Sequence, residues 1–243
     1  MFRLVLREGQ VFKNIIESMK DLIQETNMYV TKNGIRFNSM DACHVSLISC
    51  VLSGDAFEVC EVADDEYVLG ISIQSLSKIL KFLGNKESLE LTYDEKDTLG
   101  IIFREEGVTR LEFGLNLMDI EDEEMDIPKN ESDIEFMISS SVIQKNISSL
   151  MVIGDTCEIN CTPGLISLRT NGDIGELKLP IQHEHNEDIS HEFSLRHLSI
   201  FSKASSLSSD VKVSIFMELP LCLSYDFGNG YLEFYLAPKI SED

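Results

Sequence analysis

Histidine and carboxylate side chains crowd one polar stretch of the chain and could bind a metal ion. His183, His185 and His191 stand with acidic residues between them, and imidazole and carboxylate groups are both zinc ligands. The spacing fits no zinc motif, because the HxH pair lacks a matching cysteine pair and the helical HExxH arrangement is absent. A solvated loop between a strand and a helix explains the same residues. We therefore expect no metal site and no cofactor.

A second group, Asp41, Cys43 and His44, contains the residue types of a thiol nucleophile and its base. Residues that are neighbours along a strand point to opposite faces, so closeness in sequence does not assemble a catalytic site. The chain also lacks the GxxxxGK[ST] phosphate loop of ATP-dependent enzymes. We expect no catalytic residues and a protein that is not an enzyme.

Positive charge is concentrated on four short amphipathic segments. Residues 11–23, 72–83, 140–151 and 194–206 hold seven of the 20 Lys and Arg but only two of the 42 Asp and Glu. The whole chain has a formal charge of −22, which by itself would repel a polyanion. A locally positive face in so acidic a protein indicates contact with DNA phosphates, and we interpret it as the inner wall of a ring.

The same segments are predicted to be helices. From Phe12 to Ile23 the apolar residues recur with helical period, so one stripe is expected to pack on a sheet, whereas Lys13 and Lys20 share another face. Residues 194–206 are rich in serine and make a poor helix by propensity. A helix is predicted there because the two halves of the chain resemble each other.

Each half is predicted to begin with an amphipathic segment and to continue with a tight hairpin, a second amphipathic segment and a β meander. Asn33-Gly34 turns the first hairpin and Pro163-Gly164 turns the second. This order predicts an α+β protein with two duplicated domains, each with two helices packed on β-sheets.

The domains are placed at residues 1–116 and 134–243, joined by a linker at residues 117–133. The acidic run in this linker favours an extended, solvated chain, and Pro128 prevents a continued helix. Apolar residues spaced along the linker predict that it docks against a surface.

The composition is that of a soluble intracellular protein, with 43% hydrophobic and 26% charged residues. No apolar run approaches the ~20 residues of a membrane helix, and the first residues do not form a signal peptide. The six cysteines lack CxxC spacing. They are expected to be reduced, buried and structural.

Four separated motifs, SMDACHVSL at 39–47, SLSKILKFLGN at 75–85, LMDIEDEEMDIP at 117–128 and YLAPKI at 235–240, occur in order along the chain. Together they closely resemble the proliferating cell nuclear antigen family of eukaryotic DNA sliding clamps. The resemblance implies a homotrimer whose six domains close into a ring around duplex DNA. It implies a nuclear processivity factor for DNA polymerase and a docking platform for replication and repair proteins, with loading by a separate clamp loader.

The resemblance also implies which residues contact DNA and the neighbouring subunit. Sliding needs phosphate contacts without base recognition. The cations implied to face DNA are Lys13, Lys20, Lys78, Lys81, Lys145, Arg196 and Lys203. The residues implied to pair edge to edge between subunits are Val108, Arg110, Phe113, Leu115, Glu176, Leu177 and Leu179. Asn14, Ser148 and Val152 stand where relatives are often basic, so weak and salt-sensitive DNA binding is expected.

A pocket for short partner peptides is implied beside the linker and the C-terminal segment. Its residues are Met40, His44, Val45, Leu47, Met125, Ile127, Pro128, Pro220, Tyr235, Leu236, Ala237 and Pro238. An apolar cup beside an acidic linker suits peptides with aromatic anchors and basic flanks, such as those of polymerases, clamp loaders, nucleases and ligases. Relatives often carry a tyrosine where this chain has residues 131–133, ESD.

One alternative stays open from the sequence. The small number of inner cations is also compatible with a peptide-binding hub, or with one subunit of a heteromeric clamp, that does not encircle DNA as a homotrimer. Solution mass distinguishes these hypotheses.

Overall fold

The structure is a computed structural model that describes residues 1–121, 125 and 131–239. The chain divides into two compact units. Unit 1 comprises Met1–Ala42, Ile48–Asp126 and Phe227–Leu232, and unit 2 comprises Cys43–Leu47, Ile127–Asp226 and Glu233–Asp243.

Unit 1 is built from short strands and two helices. In chain order these are β1 (Phe2–Leu6), α1 (Gln10–Met19), β2 (Glu25–Thr31), β3 (Gly34–Met40), β4 (Ser46–Ser53), a 3-10 turn (Gly54–Ala56), β5 (Val59–Val62), β6 (Glu66–Ser72), α2 (Ile73–Leu80), β7 (Ser88–Tyr93), β8 (Thr98–Glu105) and β9 (Val108–Asn116).

Two sheets and a helix pair enclose the core of unit 1. One sheet has the order β5-β1-β7-β8-β9, and β4-β3-β2-β6 are neighbours in the other. The apolar stripe predicted for the first helix is buried on α1, where Phe12, Ile15 and Ile16 are fully enclosed. α1 packs against α2, whose first turn is capped by the Ser72 hydroxyl, which accepts a hydrogen bond from the Ser75 amide.

The predicted hairpin at Asn33-Gly34 joins β2 to β3. Gly34 has φ +119°, and a Cβ at this position would lie 2.1 Å from the Leu52 carbonyl oxygen. Glycine is therefore required both by the backbone conformation and by the close approach of the neighbouring strand.

Unit 2 repeats this plan with one strand fewer between its helices. Its elements are β10 (Ile134–Ser139), α3 (Ser140–Met151), β11 (Thr156–Thr162), β12 (Leu165–Gly172), β13 (Gly175–Gln182), β14 (Ile189–Ser194), α4 (Leu195–Phe201), a 3-10 turn (Ser202–Ser206), β15 (Asp210–Ile215), β16 (Leu221–Asp226) and β17 (Gly230–Leu236).

The core of unit 2 lies between the sheet β13-β12-β11-β14, the strand series β10-β15-β16-β17 and the pair α3 and α4. Phe201 at the end of α4 stacks on Phe234 of β17 with ring centroids 4.6 Å apart. The serine-rich segment is helical only to Phe201 and continues as a 3-10 turn, as its poor propensity predicts.

Some local predictions were wrong. Each half begins with a strand, β1 or β10, and not with the predicted amphipathic segment. The strands were missed because a short apolar run does not distinguish strand from helix by periodicity alone. Residues 41–45 form a loop rather than a strand. All six cysteines are free, but Cys43 is exposed and Cys60 is half-buried.

No helix in the described part of the chain is long and apolar enough to span a bilayer.

Candidate functional site

In unit 1, the helix pair presents the predicted cations in two different ways. Lys78 in the last turn of α2 and Lys81 at its C-cap are exposed. Lys13 is half-buried, and its Nζ donates a hydrogen bond to the Leu83 carbonyl oxygen at 3.1 Å. Lys20 follows α1 as its C-cap and pairs with Glu17 one turn earlier. The four lysines are therefore not equally available to a phosphate.

Glu17 lies at the seam between α1 and α2. The Ser77 hydroxyl donates to Glu17 Oε1 at 2.6 Å, while Oε2 faces Lys20. Partial burial raises the pKa of Glu17, but the hydrogen bonds from Lys20 and Ser77 and the charges of Lys20 and Lys81 outweigh it, so the pKa lies below its usual value. Sequence reasoning missed this carboxylate, although its spacing of three from Lys20 is that of a helical ion pair.

In unit 2, Lys145 on α3, Arg196 on α4 and Lys203 on the following 3-10 turn are all exposed. Lys203 lies beyond the end of α4, so the face it was predicted to share with Arg196 is interrupted. Exposed uncharged residues accompany Lys145, among them Val152, which is 70% exposed. The pair α3 and α4, with the turn that follows, thus presents three exposed cations among uncharged residues.

The predicted assembly edge of unit 1 is β9, the last strand of its sheet. Its side chains alternate, with Leu111 and Phe113 half-buried and Val108 69% exposed. Arg110 is held by Glu87, whose Oε2 accepts from its Nη2 at 2.7 Å. This hydrogen bond lowers the pKa of Glu87, because its effect is larger than that of burial, which raises the pKa. Inward-facing residues of the neighbouring β8, such as Phe103, are fully buried, so the half-exposure is a property of the edge.

The second predicted edge is β13, the first strand of its sheet in unit 2. Leu177 and Leu179 alternate with exposed residues and are themselves only half-buried. Glu176 pairs with Arg169 of β12 at 2.7 Å. Within the described part of the chain, each of these strands has a neighbour on one side only, and each carries incompletely covered apolar side chains. Leu115, the remaining predicted interface residue, is buried in unit 1.

Several residues predicted for the peptide pocket lie together in unit 2. The Ala237 amide donates to the Val45 carbonyl oxygen at 2.9 Å, which joins the C-terminal segment to the loop at residues 43–47. Val45 and Ala237 are exposed, whereas Tyr235 is buried and its hydroxyl donates to Glu233 Oε2 at 2.8 Å. Burial is the main reason that the pKa of Tyr235 is raised.

The other predicted pocket residues are distributed as follows. His44 is exposed with φ +55°, and Leu47 and Leu236 are buried. Pro220 and Pro238 are half-buried in unit 2, and Met40 and Met125 are half-buried in unit 1. Ile127 and Pro128 lie outside the described residues.

The residues considered for metal binding make other contacts. His183 and His185 stack with ring centroids 5.6 Å apart, and His191 Nε2 is 3.0 Å from the Met217 carbonyl oxygen. Among the residues that the structure describes, no group of three or more His, Cys, Asp or Glu side chains is arranged to hold a metal ion.

Comparison with known proteins assigns both halves of the chain. Residues 1–125 match the family model of the proliferating cell nuclear antigen N-terminal domain, and residues 126–240 match that of its C-terminal domain. The chain belongs to the proliferating cell nuclear antigen family. The proliferating cell nuclear antigen of Chaetomium thermophilum is 31% identical over 259 residues, with all of both chains covered.

A solved structure agrees with the assignment. The crystal structure of proliferating cellular nuclear antigen from Entamoeba histolytica superposes with a TM-score of 0.91 at 35% identity, covering 98% of this chain and 99% of that one. The predicted fold, with two duplicated domains of β-sheets and few helices, is confirmed. A closed ring is typical of the family.

Family membership confirms the predicted function as a DNA sliding clamp and polymerase processivity factor, and it does not favour the hub alternative. The proliferating cell nuclear antigen family is a non-enzymatic clamp family, and its members are DNA-associated and generally nuclear.

Proposed function

We propose that three copies of this chain close into a ring by pairing β9 of one subunit with β13 of the next. The two edges are different surfaces, so the contact is head to tail, and such contacts repeat until a ring closes or a filament grows. Pairing would satisfy the unpaired backbone groups of both strands and cover their half-exposed leucines and phenylalanine. The supporting observation is this match of two incomplete edges.

The ring would place the helix pairs toward duplex DNA. Exposed Lys78, Lys81, Lys145, Arg196 and Lys203 would then make exchangeable contacts with phosphates. Because these contacts are few, binding to a linear duplex is weak and salt-sensitive, and retention on DNA comes from encirclement. The clamp would raise processivity by holding a polymerase at a high local concentration.

The peptide pocket would lie around Val45, Ala237 and Pro238 in unit 2. Its ligands would be short segments with aromatic anchors and basic flanks, carried by nuclear polymerases, clamp loaders, nucleases and ligases.

Solution mass tests the ring. The wild type should give a particle about three times the 27.4 kDa subunit mass. Leu179→Ser should dissociate it, because this half-buried leucine is one of the incompletely covered apolar side chains of the edge strand, whereas Lys178→Ser on the exposed face of the same strand should leave it intact. A wild-type monomer at all concentrations would contradict the homotrimer.

Polymerase stimulation tests the function directly. With a clamp loader and primed circular DNA, the wild type should extend product length, and a Lys78→Ala, Lys81→Ala double variant should reduce this effect. The wild-type ring should leave a linear duplex with free ends far sooner than a circle. Equal retention on both would count against encirclement.

Peptide binding is tested by fluorescence polarisation with a labelled peptide that carries glutamine, an aromatic pair and basic flanks. Val45→Asp should lose most of the affinity while the solution mass stays that of the trimer. Unchanged affinity would exclude Val45 from the site.

A further inference from the structure

The helix pair of unit 1 carries two carboxylates, Glu17 on α1 and the exposed Asp21 just after it, and Glu17 is the one that lies between the two helices. Glu17 projects from α1 toward α2, about one-third exposed, and both of its oxygens are engaged. The hydroxyl of Ser77, which is 60 positions away in sequence, donates a hydrogen bond to Oε1 at 2.6 Å. The packing of the two helices therefore fixes the position of the Glu17 carboxylate.

Lys20 is the cation that Glu17 holds. The Lys20 side chain is 26% exposed and is folded back onto Oε2 of Glu17. Its backbone is also fixed, because the Lys20 carbonyl oxygen accepts a hydrogen bond from Gln74 Nε2 at 2.6 Å. By contrast, Lys78 and Lys81 are exposed on the adjoining helix.

From this geometry we infer that Glu17 limits the affinity of the clamp for duplex DNA by competing with phosphate for Lys20. The inference rests on the proposed role of α1 and α2 as the DNA-facing helices. For Lys20 to bind a phosphate, its contact with Glu17 must break, and a bare carboxylate is then left facing a polyanion. Both effects reduce the gain from the new contact. A sliding clamp benefits, since weaker phosphate contacts exchange faster along the duplex.

The test is salt-dependent binding to a linear duplex, measured on the intact wild-type ring and on Glu17→Gln. Glutamine keeps the size of the side chain and can still accept the Ser77 hydrogen bond, but it cannot hold Lys20 as an ion pair. The affinity of Glu17→Gln for the duplex at low salt should be roughly threefold to tenfold higher than that of the wild type. This is the size of effect expected when one exposed ion pair is released and one repulsive charge is removed. If Lys20 gains a phosphate, the slope of log K against log salt should steepen by about 0.9.

Glu61→Gln is the matched control. It makes the same change in charge on an exposed residue of β5, in a sheet rather than on the helix pair. This variant should keep the wild-type slope. An equal gain from Glu61→Gln would overturn the inference, because the effect would then be one of net charge alone.

A double-mutant cycle isolates the pair. In the wild-type background Lys20→Ala should cost less affinity than Lys78→Ala. In the Lys20→Ala background Glu17→Gln should keep only the gain from removing a repulsive charge, and the salt slope should no longer steepen. An equal loss from both lysine variants, an undiminished gain without Lys20, or an unchanged slope in Glu17→Gln would each overturn the inference.

The solution mass of each variant must remain that of the wild type, so that affinity is compared between the same assemblies. Duplex binding by the wild type that did not respond to salt would instead overturn the DNA-facing assignment, and this inference with it. Normal salt dependence without coupling between Glu17 and Lys20 would overturn the inference alone.

Discussion

The ring of Phe82 stacks on the ring of Phe113, with centroids 5.8 Å apart and planes inclined by 27°. Phe113 lies on the edge strand β9 and packs in turn against Phe103 of the core. Phe82 follows α2 and is 59% exposed beside this edge strand. The pair therefore extends the apolar surface of the edge beyond the strand itself.

Phe82→Ala should weaken self-association more than it destabilises the subunit. Truncating an exposed aromatic costs the fold little, but at a subunit contact it removes on the order of 1–2 kcal/mol, equivalent to roughly tenfold in each contact. Mass measurement on dilution would show the change. Val68→Ala, an exposed apolar residue on β6, should leave assembly unchanged, and equal assembly by Phe82→Ala and wild type would exclude the aromatic pair from the contact.

Gly70→Ala should release the start of the linker. The Met118 amide donates to the Gly70 carbonyl oxygen at 2.8 Å, and a Cβ on Gly70 would lie 2.2 Å from the Met118 carbonyl oxygen. We expect a loss of about 1–3 kcal/mol in the free energy of unfolding and faster hydrogen exchange at residues 117–121. Gly114→Ala, where the nearest atom is 3.9 Å away, is the control. Unchanged exchange would show that the linker start is not held here.

Two tyrosines of unit 2 should respond oppositely to loss of the hydroxyl. The Tyr225 hydroxyl is buried without a hydrogen-bond partner among the described residues, whereas that of Tyr235 donates to Glu233. Tyr225→Phe should leave the unfolding free energy unchanged or raise it by about 1 kcal/mol, and Tyr235→Phe should lower it by about 1 kcal/mol. Thermal and denaturant unfolding would compare them. Destabilisation by Tyr225→Phe would reveal a partner for that hydroxyl.

Glu90 should link the stability of unit 1 to pH. Its side chain is 5% exposed and accepts hydrogen bonds from Arg3 Nε at 2.8 Å and Arg104 Nε at 2.9 Å. Burial raises the pKa of Glu90, but the two arginines outweigh it and bring the pKa below its usual value. The Glu90 carboxylate therefore binds a proton less readily in the folded state than in the unfolded state, where the pKa of glutamate is about 4.3. Stability is gained above that pH and lost as the pH falls through the folded pKa.

Glu90→Gln should thus cost about 2 kcal/mol near pH 7, because charge-assisted hydrogen bonds are lost. The difference from the wild type should shrink as the pH falls below about 4. Denaturant unfolding of both proteins at neutral and acidic pH would measure it. A difference that is constant across this range would mean that the charge of Glu90 does not matter.

Local patterns in the sequence were sufficient for most of the secondary structure. The apolar stripe of α1 and the glycine turns at Gly34 and Gly164 depend on neighbours a few residues away, so periodicity and backbone conformation predict them. The first strand of each half was missed, because short apolar runs carry no distinguishing period. The family motifs predicted fold and function together, since they span the chain.

The sequence by itself determined the fold class, the duplicated plan, the family and the presence of cations on the helices. Only the tertiary structure decided which of those cations are available, because the partners come from elements distant in sequence: Ser77 positions Glu17 against Lys20, and the Leu83 carbonyl holds Lys13. The resemblance implied that β9 and β13 are edges, and the tertiary structure shows that each is the outermost strand of its sheet. The alternation of apolar and polar residues along a strand reveals its buried face. It does not reveal whether a second neighbouring strand pairs with its backbone, because that depends on how all the strands assemble.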